Sequence, residues 1–209
     1  FKELLRMQKE RARNARNTKQ SMNVQNADML AFKTESSFVG YETLETKSKV
    51  IGLFKDGKLV DKASGELVAV FDKTGFYAES GGQIGDIGTL TINEKNYAVT
   101  DTIKLPNQQH GLVIDMKNDE LKTNDEVMLA VDEEFREDVK ANHSATHLLN
   151  ETLRHVVGSH VFQQGSQVSN NLLRFDFNNF TPLTNEEILQ IEKLVNEEIN
   201  RGHEVKTLI

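Results

Sequence analysis

A chain of 209 residues, 37% hydrophobic and 27% charged, is long enough to bury a sizeable core and has the balance of an ordinary globular protein. It contains no cysteine, which excludes disulfides and thiolate ligands, so any metal must be held by His or carboxylate. A net charge of −7 argues against a broadly basic nucleic-acid surface, and no apolar run is long enough for a membrane span or a secretory leader, which points to a cytoplasmic protein without a membrane partner.

Residues 1–30 predict a polar helix with too few apolar residues to form a core alone. Positive charge concentrates there. Lys2, Arg6, Lys9, Arg11, Arg13, Arg16 and Lys19 stand against Glu3 and Glu10, a local charge of +5 that leaves −12 for the rest. Such an arm is either a solvated helix face or a contact for a phosphate backbone. From about residue 36 to 131 short alternating or β-branched runs separated by turns predict strands at Phe38–Thr43, Lys49–Phe54, Glu66–Phe71, Gly75–Glu79, Gly88–Ile92, Tyr97–Ile103, Gly111–Met116 and Glu126–Val131. The Asp56-Gly57 pair favours a tight hairpin, and so many short strands suggest a small barrel.

At Asp132 the period becomes helical. A helix of roughly 133–157 is expected, with Glu133 and Glu134 in its first turn and Gly158 after its end. A polar turn at Gln163–Ser166 and a strand at Leu172–Phe177 come next. Thr184-Asn185-Glu186-Glu187 is a capping box opening a second amphipathic helix with Ile188, Ile191, Leu194, Val195 and Ile199, and Gly202 ends it. His203–Ile209 reads as the start of a further strand. The expected fold class is α+β: an N-terminal helix over residues 1–30, a β-barrel over 31–132, and an incomplete α/β domain over 133–209.

Three stretches could carry chemistry. His143 and His147 sit four apart beside the apolar stripe of the long helix, so both imidazoles can reach one ion, and neutral imidazole suits Zn²⁺. They could equally be two boundary histidines bonded to their neighbours. A metallopeptidase helix is less well matched, because Ser144 follows His143 where such a helix has its glutamate base. The stretch Phe76–Gly88 holds Glu79-Ser80-Gly81-Gly82-Gln83 and matches neither a P-loop nor a dinucleotide fingerprint. Its glycines serve either as turns or for close backbone approach to a ligand. In Gly158–Ser166 amide and hydroxyl groups concentrate, and Gln163 is either solvated or placed to orient a water or carbonyl.

Taken in order, Phe76–Gly88, His143–His147 with Leu148-Leu149, and Gly158–Ser166 leading into Leu173-Arg174-Phe175-Asp176-Phe177 resemble the editing region of bacterial alanyl-tRNA synthetases. The basic stretch Met7–Arg16 is similar to the helix that closes the preceding tRNA-recognition domain of that family. The resemblance implies a translation-factor-like β-barrel followed by the threonyl/alanyl-tRNA synthetase second additional domain. It implies an ATP-binding aminoacyl-tRNA ligase overall, with an ester hydrolase here acting on tRNA(Ala) mischarged with serine or glycine. An alanine pocket cannot exclude glycine by size and discriminates only modestly against one extra hydroxyl, so a second sieve is needed.

The resemblance further implies that His143 and His147 are the first zinc-ligand pair, that Thr146 recognises the seryl hydroxyl, and that Gln163 lines the pocket. Glu79 falls in the glycine-rich loop near the aminoacyl end, and Ser80, Gly81, Gly82 and Gln83 would contact substrate. The family completes its zinc site with a Cys-x-x-x-His segment, which does not occur before Ile209. The expectation is therefore a zinc half-site of low occupancy and an isolated chain of weak activity at best, with the rest of a synthetase as its partner. The alternative is a tRNA-contacting module that is catalytically silent.

Overall fold

The Asp56-Gly57 pair turns the chain as its sequence demands: both residues have positive φ, 50° and 78°, and they join β2 (Glu45–Lys55) to β3 (Lys58–Val60) as an antiparallel hairpin. The computed structural model describes residues 27–204, so the helix expected over residues 1–30 and the strand expected over His203–Ile209 lie outside the described residues except for 27–30, which are helical, and 203–204, which are in no strand. The described chain forms two compact units, one of residues 27–78 and 85–132, the other of residues 79–84 and 133–204. Among the described residues no helix is long and apolar enough to cross a membrane.

The first unit is an antiparallel barrel. After a short helix, α1 (Ala27–Ala31), and the strand β1 (Ser37–Phe38), the chain runs through β2, β3, β4 (Lys62–Ala63), β5 (Glu66–Phe71) and β6 (Lys73–Thr74). It continues through β7 (Gly88–Ile92), β8 (Lys95–Lys104), β9 (His110–Asp115), β10 (Leu121–Lys122) and β11 (Glu126–Val131). The hydrogen-bonded order β11-β7-β8-β9-β5-β2 closes on itself where β11 pairs with β2, Leu129 opposite Thr46, and β3 extends β2 at one end. Closure removes the exposed sheet edges that would otherwise invite aggregation.

The inward residues fill the barrel. Val50, Leu53, Phe71, Leu90, Leu112, Ile114 and Leu129 are all fully buried. A second cluster covers part of the outside, where Phe32 meets Phe54 edge-on at 5.4 Å over Val68, Val70 and Leu105. This two-sided burial explains why β5 reads as the unbroken apolar run Leu67–Phe71 where alternation would be expected. Two predicted strands are corrected. Of Phe38–Thr43 only Phe38 lies in a strand, because the Val39 carbonyl accepts the amides of both Glu42 and Thr43 and turns the chain. Gly75–Glu79 belongs to no strand.

The second unit is built on α2 (Glu133–Val156), the hairpin of β12 (Gln163–Val168) and β13 (Leu173–Phe177), and α3 (Asn185–Arg201). The predicted polar turn at Gln163–Ser166 is in fact β12, paired antiparallel with β13 from Gln163–Phe177 to Val168–Leu173 with one bulge. Its core is small: Leu153, Val161 and Ile191, with Leu149, Val157, Phe175, Phe177 and Val195 packed around them. The capping box at Thr184 forms as predicted, Thr184 Oγ1 accepting from the Glu187 amide and Glu187 Oε2 from the Thr184 amide, and Gly202 closes α3 on the Ile199 carbonyl. The apolar face of α3 is only partly covered. Ile191 is buried, whereas Ile188 and Ile199 are 42% and 51% exposed.

Candidate active site

The glycine-rich loop and the histidine pair meet within the second unit. Ser80 and Gln83 exchange backbone hydrogen bonds of 3.1 and 3.0 Å around Gly81 and Gly82, whose φ angles of 61° and 88° make this a tight primed turn. The turn docks on the end of β12: Val168 donates to the Gly82 carbonyl at 2.8 Å, and the Ile84 amide donates to the Val168 carbonyl at 3.0 Å. Gly82 lies so close to β12 that a Cβ there would come within 2.3 Å of the Ser166 carbonyl oxygen. The glycines thus serve as a turn, and the close approach seen at Gly82 is to the protein's own β12 backbone.

That docking aims the buried side chain of Gln83 at α2. Gln83 Oε1 lies 2.8 Å from His143 Nδ1, and because an amide oxygen can only accept, the imidazole carries its proton on Nδ1 and presents a lone pair at Nε2. His143 Nε2 is 3.3 Å from His147 Nε2. Two nitrogens each about 2.0–2.1 Å from a tetrahedral zinc stand about 3.3 Å apart, so the pair has the separation one shared ion requires. The amide behind His143 is the carbonyl partner that metal-bound histidines take on their outer nitrogen. Desolvation first, and the neighbouring His147 second, hold the His143 pKa below the usual histidine value, which favours the neutral ligand form.

The fit to zinc is therefore that of half a site. Among the described residues no third His, Cys, Asp or Glu joins the pair. The next helical turn brings Asn150 to the same face of α2, three residues beyond His147, with its Oδ1 buried and without a hydrogen-bond partner.

The other predicted residues divide. Gln163 Nε2 donates to Ser166 Oγ at 3.0 Å, and Ser166 Oγ reaches the Gly81 carbonyl at 3.4 Å, so Gln163 and the loop are joined through a serine that sequence reasoning did not single out. Thr146 is buried, and its hydroxyl donates to the Asn142 carbonyl of its own helix at 2.9 Å. Glu79 is exposed at the start of the loop. Asn142 was also missed: its Nδ2 donates to the Ser169 and Asn170 carbonyls at 2.8 and 3.2 Å, pinning the β12–β13 turn to the helix one residue before His143. Its position beside a candidate ligand was the available signal.

The family model for class II (A) tRNA synthetases matches residues 1–135. An alanine–tRNA ligase from Staphylococcus saprophyticus is 42% identical over 207 residues, 98% of this chain and 24% of that protein. One from Lactobacillus johnsonii is 45% identical over 214 residues, 100% of this chain and 24% of that protein, and one from Bacillus subtilis is 43% identical over 201 residues, 95% and 23%. The chain spans about a quarter of the length of these curated relatives.

Proposed function

The chain belongs to the class II (A) tRNA synthetase family, and on that premise we propose that it carries the editing site of an alanyl-tRNA synthetase, clearing tRNA(Ala) of serine or glycine by hydrolysis of the aminoacyl ester. The observation that carries this reading is the His143–His147 pair at 3.3 Å, backed by Gln83. The site would hold zinc through His143 and His147, with its remaining ligands supplied from outside the described residues. Zinc, when bound, polarises an ester carbonyl or a water.

The chain's own residues set the geometry. Gln83 fixes the His143 tautomer and ring plane. The Ser80–Gln83 turn and Gln163, tied together through Ser166, form one wall of polar groups for the aminoacyl end. Thr146 Oγ1 spends its proton on Asn142 but keeps lone pairs, so a seryl hydroxyl can donate to it.

Time courses of Ser-tRNA(Ala), Gly-tRNA(Ala) and Ala-tRNA(Ala) with the zinc-supplied chain test the reading. Loss of the first two with the third spared supports it, and equal loss of all three refutes it. One observation favours a second reading, a catalytically silent tRNA-contacting module: only two ligands converge among the described residues, fewer than zinc sites normally use. Tight binding of mischarged tRNA with no ester loss at any zinc concentration identifies that case.

A further inference from the structure

Residues 152–185 contain a single carboxylate, Asp176, in a chain with 32 Asp and Glu, and that carboxylate is engaged by Arg174. Within this acid-poor stretch the open end of the β12–β13 hairpin gathers planar groups. Phe180, 86% exposed, lies nearly parallel on His160 with ring centroids 4.9 Å apart at 28°. Phe162, 57% exposed, has the Arg154 guanidinium 6.0 Å from its ring centre. Two asparagines fix the arrangement. Asn178 Nδ2 donates to the His160 carbonyl at 2.8 Å and its Oδ1 accepts from the Phe162 amide at 2.6 Å, while Asn179 Oδ1 accepts from His160 Nε2 at 2.9 Å and from the Phe180 amide at 3.0 Å.

An aromatic as exposed as Phe180, stacked on an imidazole and with its amide held by Asn179, suits a recognition surface, and Phe162 with its guanidinium follows that imidazole by two residues. Aromatic faces beside Arg or His suit unpaired nucleobases, which offer a π-face whatever their identity, and residues 152–185 themselves add only Asp176 to repel phosphate. We propose that His160, Phe162 and Phe180, with Arg154, form a stacking platform for unpaired bases of a single-stranded RNA end. The platform rests on the reading that this chain acts on tRNA, and it assigns that RNA a second contact beyond the ester-cleaving groups.

The test is fluorescence titration of the chain with a single-stranded RNA tetramer carrying one 2-aminopurine. The expected result is quenching on binding, weakened about tenfold in Phe180→Ala, retained in Phe180→Tyr, and weakened in Arg154→Gln with a smaller salt dependence. Absence of quenching in the unaltered chain, or an affinity unchanged in Phe180→Ala, overturns the proposal. Self-association of the chain in sedimentation velocity that Phe180→Ala abolishes also overturns it, because the patch then faces a second copy. Deacylation separates the two readings. A Phe180→Ala chain with raised KM and unchanged kcat on Ser-tRNA(Ala) supports the platform, whereas RNA quenching by a chain that never deacylates supports the platform while the hydrolase reading fails.

Discussion

Replacing Gln83 by Leu removes the oxygen that holds His143 while leaving the loop's scaffold in place, since the Ser80–Gln83 turn and its link to Val168 are made by backbone atoms. Losing one neutral hydrogen bond costs about 0.5–1.5 kcal/mol, a factor of roughly 2 to 13. Losing the outer-shell partner of a metal ligand costs about 10–100-fold in affinity. The two ranges overlap near tenfold, and His143 is exposed enough for water to replace the lost acceptor, so about tenfold weaker zinc binding is expected. Calorimetric zinc titration at neutral pH measures this directly. Long-range proton–nitrogen NMR of the imidazoles provides a second readout, in which the single Nδ1–H tautomer of His143 should give way to a mixture. Unchanged zinc affinity together with an unchanged tautomer refutes the positioning role.

Gly82→Ala should undock the loop, because φ of 88° is strained for alanine and its Cβ would lie 2.3 Å from the Ser166 carbonyl oxygen; amide exchange of Ile84, bonded to Val168, should quicken. Leu153→Ala, deep in the small core of the second unit, should cost about 2–5 kcal/mol in chemical denaturation of that unit. His110, whose Nδ1 meets the Phe76 carbonyl at 2.7 Å, has its pKa pushed down chiefly by burial. The unfolded chain therefore binds more protons than the folded one as pH falls below 6.5, and this residue's contribution to barrel stability declines over that interval. Urea unfolding of the chain and of His110→Gln should differ in pH slope there, and parallel slopes would count against the assignment.

The barrel was legible because its determinants are local. Asp56-Gly57 specifies a turn, and alternating runs specify strands whose inner faces close on one core. The boundary of β1 was not, since a backbone turn on Val39 outcompetes the strand tendency of Phe38–Thr43. β12 was hidden for the opposite reason. Gln163–Val168 has one buried apolar residue, Val168, and no alternation, and it is a strand because β13 on one side and Gly82 on the other supply its hydrogen bonds. The apolar residues of α3 follow helical spacing, yet Ile188 and Ile199 stay exposed, as periodicity shows which face is apolar without showing what covers it.

The same division runs through the site. Spacing alone brought His143 and His147 to one face of α2. Gln83 was recognised only as a loop residue facing substrate, because its bond to His143 spans 60 positions of sequence and depends on how the turn docks. Thr146 shows the converse: its spacing places it near the pair, yet its hydroxyl proton is already committed to the Asn142 carbonyl, which the residue pattern does not specify.

Deacylation of Ser-tRNA(Ala) by the chain in excess zinc, compared with a His143→Ala/His147→Ala chain under the same conditions, tests the central claim most directly. The histidine-held site predicts ester loss above the uncatalysed rate that zinc increases and the double substitution abolishes. Equal rates in the two chains, with or without zinc, would contradict it.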